Sequence, residues 1–290
     1  MIVANDFNSI YKGLIREVLC DGKKESPRGI ATREITPYVF TLTDPSQSLL
    51  TLKARKLAYD FNAAEKLCYI TGNSGENILP KYAPKISRFI NPKTALFDGS
   101  YGPRLIQQYK YILDLLRKDP NTRQATLNIN NFHDDMHIGY DSLDIPCTQN
   151  IQFLLRQNKL HCVVTMRSND LLWGLPYDIS QFTFLQECFA NLLGVELGHY
   201  THFVGSLHVY ETDVARFMKI LSSDELVDEK YFQQPVNVET YEQLMDQSKM
   251  TLHNDIYPNS HEFSQPLVPY FKQLHEIIHE TKSNSVNVKC

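Results

Sequence analysis

Pro146-Cys147-Thr148-Gln149-Asn150-Ile151-Gln152-Phe153, followed by Met166-Arg167-Ser168-Asn169-Asp170, is the stretch from which the rest of this chain can be read. A lone cysteine follows a proline-stiffened loop, and an arginine–serine pair follows the next apolar run. The alternation over 151–156 and 160–166 predicts two strands joined across Gln157-Asn158-Lys159. If those strands pair as a hairpin, Arg167 returns beside Cys147, where a guanidinium favours the thiolate that nucleophilic chemistry needs. The plainer reading stands next to it: a cysteine at a strand start is as a rule a small core residue. Arg167-Ser168 reads either as a surface arginine with a turn serine or as a grip for a phosphate.

Working outward, Phe7, Ile10, Tyr11, Leu14, Ile15, Val18 and Leu19 recur at helical spacing, with Gly22 where that helix would stop. A strand is expected over 38–42, helices over 62–70 and 105–116, and a strand over 124–130. The Gly-, Pro- and Asn-rich region 72–101 reads as irregular. Ile179, Phe182, Leu185, Phe189 and Leu192 mark an amphipathic helix with Gly194 as its C-cap. A strand is expected over 207–210, and the last eighty or so residues read as mainly helical. There is no internal repeat or evident linker, so the pattern predicts one α+β domain over residues 1–290.

Composition narrows the classes of function. The net charge of −4 over 290 residues, with charges scattered, argues against a nucleic-acid polymer partner or an anionic membrane surface, while leaving room for a mononucleotide. No apolar run is long enough to span a bilayer, and the first residues lack the pattern of a secretory signal. The six cysteines are irregularly spaced with no Cys-x-x-Cys pair, as expected of reduced thiols in the cytoplasm.

Other residues carry competing readings. Arg28 in its Pro/Gly loop and Arg123 before a strand are further phosphate-grip candidates. Asn62-Ala63-Ala64-Glu65 fits a structural capping box, and Asp178 fits an N-cap for a helix beginning at Ile179. His275-Glu276-Ile277-Ile278-His279 matches the zincin motif, but no third ligand follows, so an ordinary polar helix face is expected. His133-Asp134-Asp135-Met136-His137 reads as a solvated loop. No metal is expected.

Taken in order, these segments closely resemble the thymidylate synthase superfamily. The resemblance runs through Pro146-Cys147 with Gln152-Phe153, Arg167-Ser168-Asn169-Asp170, Gly174-Leu175-Pro176-Tyr177-Asp178-Ile179 and Gly205-Ser206-Leu207-His208-Val209-Tyr210. Weaker matches reach Asp119-Pro120-Asn121-Thr122-Arg123, Tyr101-Gly102, Glu65-Lys66-Leu67 and Arg28-Gly29. It covers roughly residues 5–215, with 216–290 divergent. It implies a mixed β-sheet flanked by helices, with sheets packing back to back in a homodimer.

Three departures lean toward the phage deoxycytidylate hydroxymethylases. Thr148 stands where thymidylate synthases usually carry histidine, Asp178 where they carry asparagine, and Ser206 where they carry aspartate. Uracil offers N3–H and O4, which an asparagine amide can meet. Cytosine offers an accepting N3 and a donating amine, which a carboxyl group can meet with one proton shared between them. A site built on buried polar pairing rejects the base that leaves a group unpaired.

The resemblance then implies a mechanism. Cys147 adds to C6 of a pyrimidine nucleoside monophosphate, and C5 takes the one-carbon unit of the co-substrate 5,10-methylenetetrahydrofolate. Water then adds, giving a 5-hydroxymethyl product rather than the methyl product of hydride transfer. Glu65 would move protons and Tyr101 would sit near the cysteine, with Asp178 reading the base. Arg28, Arg167 and Ser168 would hold the phosphate, joined by Arg123 from the second subunit. His208 and Tyr210 would bond the sugar, and Asp170, Trp173, Gly174 and Tyr177 would line the folate side. The second arginine common at the dimer phosphate site is Gln124 here. The expected substrate is dCMP. The alternatives are CMP, a thymidylate synthase or deoxyuridylate hydroxymethylase, and a non-catalytic nucleotide-binding homologue.

Overall fold

The computed structural model describes residues 1–131, 133, 135–136, 142–228, 231, 234–256 and 269–286. In chain order its elements are β1 (Ile2–Ala4), α1 (Phe7–Asp21), β2 (Lys23–Glu25), β3 (Thr32–Ile35), β4 (Tyr38–Leu42), α2 (Tyr59–Thr71), α3 (Gly102–Ile106), α4 (Tyr109–Lys118) and β5 (Thr126–Asn128). There follow β6 (Thr148–Arg156), β7 (Lys159–Met166), β8 (Asn169–Asp170), α5 (Leu175–Leu193), β9 (Glu196–Val204), β10 (Leu207–Tyr210), α6 (Val214–Leu221), α7 (Tyr241–Ile256) and α8 (Pro269–Val286). The α+β class and the helix-flanked mixed sheet are as expected.

The hairpin that organises the site forms as its sequence predicts. Gln157 and Asn158 both take positive φ, 52° and 59°, the conformation a tight two-residue β-turn requires. That turn pairs Phe153 with Cys162 and Thr148 with Met166, antiparallel. Arg167 N–H donates to the Cys147 carbonyl at 2.9 Å, so the cysteine and the arginine leave the sheet side by side.

A six-stranded sheet runs in the order β1-β4-β9-β7-β6-β5, and a four-stranded sheet in the order β2-β3-β10-β8. On the large sheet the inward residues alternate with the pleat: Ile151, Phe153, Cys162, Val164, Tyr200 and His202 are buried. Helix α5 packs on this face, and Gly194 ends it in the left-handed conformation at φ 66°. Helix α1 starts at Asp6, whose carboxylate accepts from Ser9 N–H, and buries Phe7, Ile10, Tyr11, Leu14, Ile15 and Val18. The opposite face of the sheet presents Gln152, Val163, Thr165, Thr201 and the 37%-exposed Phe203. Near the C-terminus, α7 and α8 pack on α2, and Tyr270, Phe271 and Leu274 join the same apolar cluster as Phe7 and Phe153. No helix among the described residues is long and apolar enough to cross a membrane.

Several local expectations are corrected. The helix expected over 105–116 is two helices, α3 and α4. At the break, Gln108 Nε2 donates to the Asn128 carbonyl and Gln108 Oε1 accepts from Asn128 N–H, a tertiary pairing that outweighs the helical period. The strand expected over 124–130 shortens to β5. No expected strand corresponds to β9, which is central to the large sheet; its histidines and Gly198 mask the alternation. Asn62 does not cap a helix, because α2 begins at Tyr59, and the amide of Asn62 donates to Ser180 Oγ instead. Asp178 does not cap either, since α5 begins at Leu175.

Candidate active site

Cys147, Glu65, Tyr101 and Asp178 line one cavity of about 330 Å³, together with Tyr69 from α2 and Asp144 and Ile145 from the segment before β6. Each comes from a different element. Glu65 projects from the middle of α2, Tyr101 precedes α3, Cys147 precedes β6, and Asp178 lies in the first turn of α5. Tyr69, Tyr101 and Phe182 pack as an aromatic wall, with Tyr101 and Phe182 stacked at 6.5 Å.

Cys147 is half-buried and its thiol is free. Burial pushes its pKa up, the Arg167 guanidinium draws it down, and Asp178 and Asp144 add to the rise. Arg167 is held in place because Nε donates to the Pro146 carbonyl and Nη2 to that of Ile145, each at 3.0 Å. The guanidinium thus braces the loop that carries the thiol. Arg28, exposed in the turn Pro27–Gly29 at φ 56°, also lowers the thiol pKa. The Tyr101 hydroxyl accepts from Thr148 N–H at 3.1 Å; burial raises its pKa, and this donor opposes the rise.

Glu65 is the more displaced of the two carboxyl groups. Its burial, with the Asp178 carboxyl nearby, pushes it up to about 8, although Gln181 Nε2 donates to its Oε2 at 2.8 Å. It therefore holds its proton at neutral pH. Asp178 is pushed up to about 6 by burial, while Asn169 Nδ2 donates to its Oδ2 at 2.7 Å and opposes the shift. Two neighbouring carboxyl groups with separated pKa values are a set able to divide acid and base roles.

The remaining expected residues sit around this cavity rather than in its lining. Ser168 is half-buried next to Arg167. His208 is buried on β10, paired with Asp170 of β8, and its ring meets that of Tyr210 edge-on at 5.4 Å. Arg28 and Cys147 both act electrostatically on Tyr210, placing all three on one side of the site. Asp170 accepts from Leu172 N–H and Trp173 N–H, which closes the turn before α5. Trp173 is 56% exposed, with Arg216 over its ring at 4.8 Å. The Tyr177 hydroxyl accepts from Ala58 N–H. Gly174 has a steric reason to be glycine: a Cβ there would come within 3.0 Å of Asn169 Nδ2 and 3.2 Å of Asp178 Oδ2. Arg123 is exposed beside β5 and does not reach the cavity of its own chain.

Sequence reasoning missed Gln181, which holds Glu65, and His202 and Tyr200, which stand behind Asp178 through Asn169. These partners are far apart in sequence, so no local pattern announces them; the helical spacing of Gln181 to Asp178 was the one available hint.

The His-Glu-x-x-His sequence lies on α8, where Ile278 is buried, Glu276 is exposed near Lys272, and the side chain of His279 lies outside the described residues. Of the second histidine pair, His133 is exposed, while Asp134 and His137 lie outside the described residues.

The thymidylate synthase family profile matches residues 9–251. The chain is 32% identical over 254 residues to the deoxyuridylate hydroxymethyltransferase of Bacillus phage SP01, covering 82% of this chain and 66% of that protein. It is 28% identical over 229 residues to the deoxyuridylate hydroxymethyltransferase of Delftia phage PhiW-14, covering 75% and 64%. It is 30% identical over 204 residues to a putative thymidylate synthase of Methanocaldococcus jannaschii, covering 70% and 86%. The chain thus spans about two thirds of the length of the two phage relatives it matches. A profile match over most of its length agrees with a cavity gathering the expected cysteine, glutamate, tyrosine and aspartate, and on this basis the chain belongs to the thymidylate synthase family.

Proposed function

We propose that this protein transfers a one-carbon unit to C5 of a cytidine monophosphate nucleotide, dCMP in the first instance, and releases the 5-hydroxymethyl product. The observation that carries this reading is the Asp178 carboxyl, half-buried in the cavity of Cys147 with Oδ2 taken up by Asn169. A carboxylate offers acceptors to the base edge. It suits the cytosine amine and a proton on N3, whereas O4 of uracil would face an oxygen lone pair.

Cys147 Sγ adds to C6 of the ring, making C5 nucleophilic. Arg167, fixed beneath the cysteine loop, favours the thiolate at the moment of attack. 5,10-Methylenetetrahydrofolate supplies the one-carbon unit, with Trp173 offering an exposed flat ring and Asp170, Gly174 and Tyr177 the adjoining turn. Glu65, protonated at neutral pH, delivers and retrieves protons in the enclosed cavity, with Tyr101 beside the cysteine. C5 loses its proton, tetrahydrofolate departs, water adds to the exocyclic methylene, and Cys147 Sγ then leaves C6, restoring the C5=C6 bond and the free thiol. Arg28, Arg167 and Ser168 hold the phosphate, and His208 and Tyr210 the sugar hydroxyl. Arg123, exposed and remote from its own cavity, serves the partner subunit of a homodimer formed through the open face of the large sheet.

The test is incubation with methylenetetrahydrofolate and, separately, dCMP, CMP or dUMP, following tritium release from C5 and the product mass. Release with dCMP and a hydroxymethyl product is expected. Release with CMP but not dCMP would move the assignment to the ribonucleotide. A methyl product with dihydrofolate would overturn hydroxymethylation. A second reading, a deoxyuridylate hydroxymethyltransferase, is favoured by the two phage relatives so named; turnover of dUMP but not dCMP would establish it.

A further inference from the structure

Behind Asp178, on the side away from the cavity, a line of buried side chains crosses from β8 to β9. Asn169 Nδ2 donates to Asp178 Oδ2 at 2.7 Å, Asn169 Oδ1 lies 3.1 Å from His202 Nε2, and His202 Nδ1 lies 2.8 Å from the Tyr200 hydroxyl. Tyr200 and His202 are fully buried, and the imidazole is stacked on Phe40 at 5.0 Å between ring centres. Neither lines the cavity.

The direction of this chain follows from its far end. Among the described residues, His202 is the sole hydrogen-bond partner of the Tyr200 hydroxyl. A buried hydroxyl proton left without an acceptor is costly, so it goes to His202 Nδ1. A neutral imidazole has one donor and one acceptor, and burial lowers the His202 pKa to about 3, which keeps it neutral. Nε2 therefore carries the ring proton and donates to Asn169 Oδ1. That turns the Asn169 amide so that its N–H points at Asp178. The reverse polarity would require Asp178 to hold a proton and donate it to Asn169, and would strand the Tyr200 hydroxyl proton.

We propose that Tyr200, His202 and Asn169 form a one-way hydrogen-bond relay that delivers a donor to Asp178 Oδ2, commits this carboxyl to accept from the base, and so sets the preference for cytosine over uracil. The selectivity part rests on the substrate reading above; the relay itself does not. A neutral carboxyl can pair with either base by turning its proton, whereas one held as an acceptor is met at both positions only by cytosine carrying a proton on N3, since O4 of uracil would face an oxygen lone pair. The three are positioning residues, acting through Asp178. The other titratable groups facing Asp178 are Glu65 and Tyr69 from α2, Tyr101, Cys147 and Asp170. All of them resist a second negative charge, which leaves Asn169 as the group that favours the carboxylate.

The test uses Tyr200→Phe, which removes one buried oxygen and keeps the ring, alongside His202→Leu. The Asp178 carboxyl is titrated by ¹³C NMR in the ligand-free full chain, its signal assigned by loss in Asp178→Asn. Binding of dCMP and dUMP is measured calorimetrically between pH 6 and 8. In folded Tyr200→Phe the Asp178 titration should move up by about half a unit or more. The dCMP:dUMP affinity ratio should fall roughly fivefold. An unmoved titration overturns the relay. A titration that moves with an unmoved ratio overturns its role in selectivity. A wild-type protein that prefers dUMP would overturn the substrate reading while the titration still decides the relay.

Discussion

Gln181 on α5 donates Nε2–H to Glu65 Oε2 on α2 across 2.8 Å, so the two helices that wall the cavity jointly hold its most displaced carboxyl group. The same amide also donates to the Asn62 carbonyl and to Asn62 Oδ1, which anchors it against α2. Burial raises the Glu65 pKa to about 8 in spite of that donor. A pKa so placed suits a general acid in the proposed reaction.

Catalysis should therefore require protonated Glu65. We expect kcat/KM to fall with an alkaline limb near pH 8, and Glu65→Gln to lower kcat by roughly 10²–10⁴-fold while removing that limb. Tritium release from C5 across pH 6 to 9.5 checks this; an unchanged limb in Glu65→Gln would assign it to another group.

The same substitution should stabilise the fold. Folded Glu65 keeps its proton up to about pH 8, while an unfolded glutamate releases it near its ordinary pKa of 4.5. The folded state therefore binds more protons across that window, and stability falls as pH rises through it, by about 1.4 kcal/mol per unit. The accumulated loss is on the order of 5 kcal/mol above pH 8. Glu65→Gln, which cannot ionise, should gain on the wild type progressively from about pH 4.5 to 8. Denaturant unfolding at a series of pH values reads the difference, and parallel curves would contradict it.

Asp178→Asn should restore an amide edge suited to uracil. The dCMP:dUMP ratio of kcat/KM should drop by roughly 10²-fold or more. Retention of the original ratio would mean that Asp178 does not read the base.

Phe203 stands 37% exposed on the open face of the large sheet, among Val163, Thr165 and Thr201. In the proposed homodimer, formed through this face, Phe203→Asp would put a charge into the contact. It should convert the homodimer to monomer in sedimentation or light scattering, and should cost activity if Arg123 serves the partner's phosphate. A variant that stays dimeric would place the interface elsewhere.

Much of the fold was legible because its signals are local. The alternation in Ile151–Arg156 and Leu160–Met166, the turn at Gln157-Asn158, the apolar stripe from Phe7 to Val18 and the stop at Gly194 each lie within one element. Where a long-range partner decides, the reading failed. Gln108 splits a periodic helix because Asn128 takes both ends of its amide, and β9 was passed over because its polar residues face partners on other strands. The starts of α2 and α5 were misplaced for a related reason: Asn62 and Asp178 look like caps until Ser180 and Asn169 are seen to occupy them.

By itself, then, the sequence determined the family-like order of motifs, the hairpin that returns Arg167 to Cys147, and a carboxyl at position 178. Those depend on spacing, pleat and turn geometry, which neighbouring residues settle among themselves. The tertiary structure decided which of these residues share a cavity, that Glu65 is a half-buried cavity acid and not part of a helix cap, and that Asp178 has Asn169, His202 and Tyr200 behind it. Protonation state and hydrogen-bond direction depend on burial and on partners brought in from distant elements, and only the packed chain supplies them.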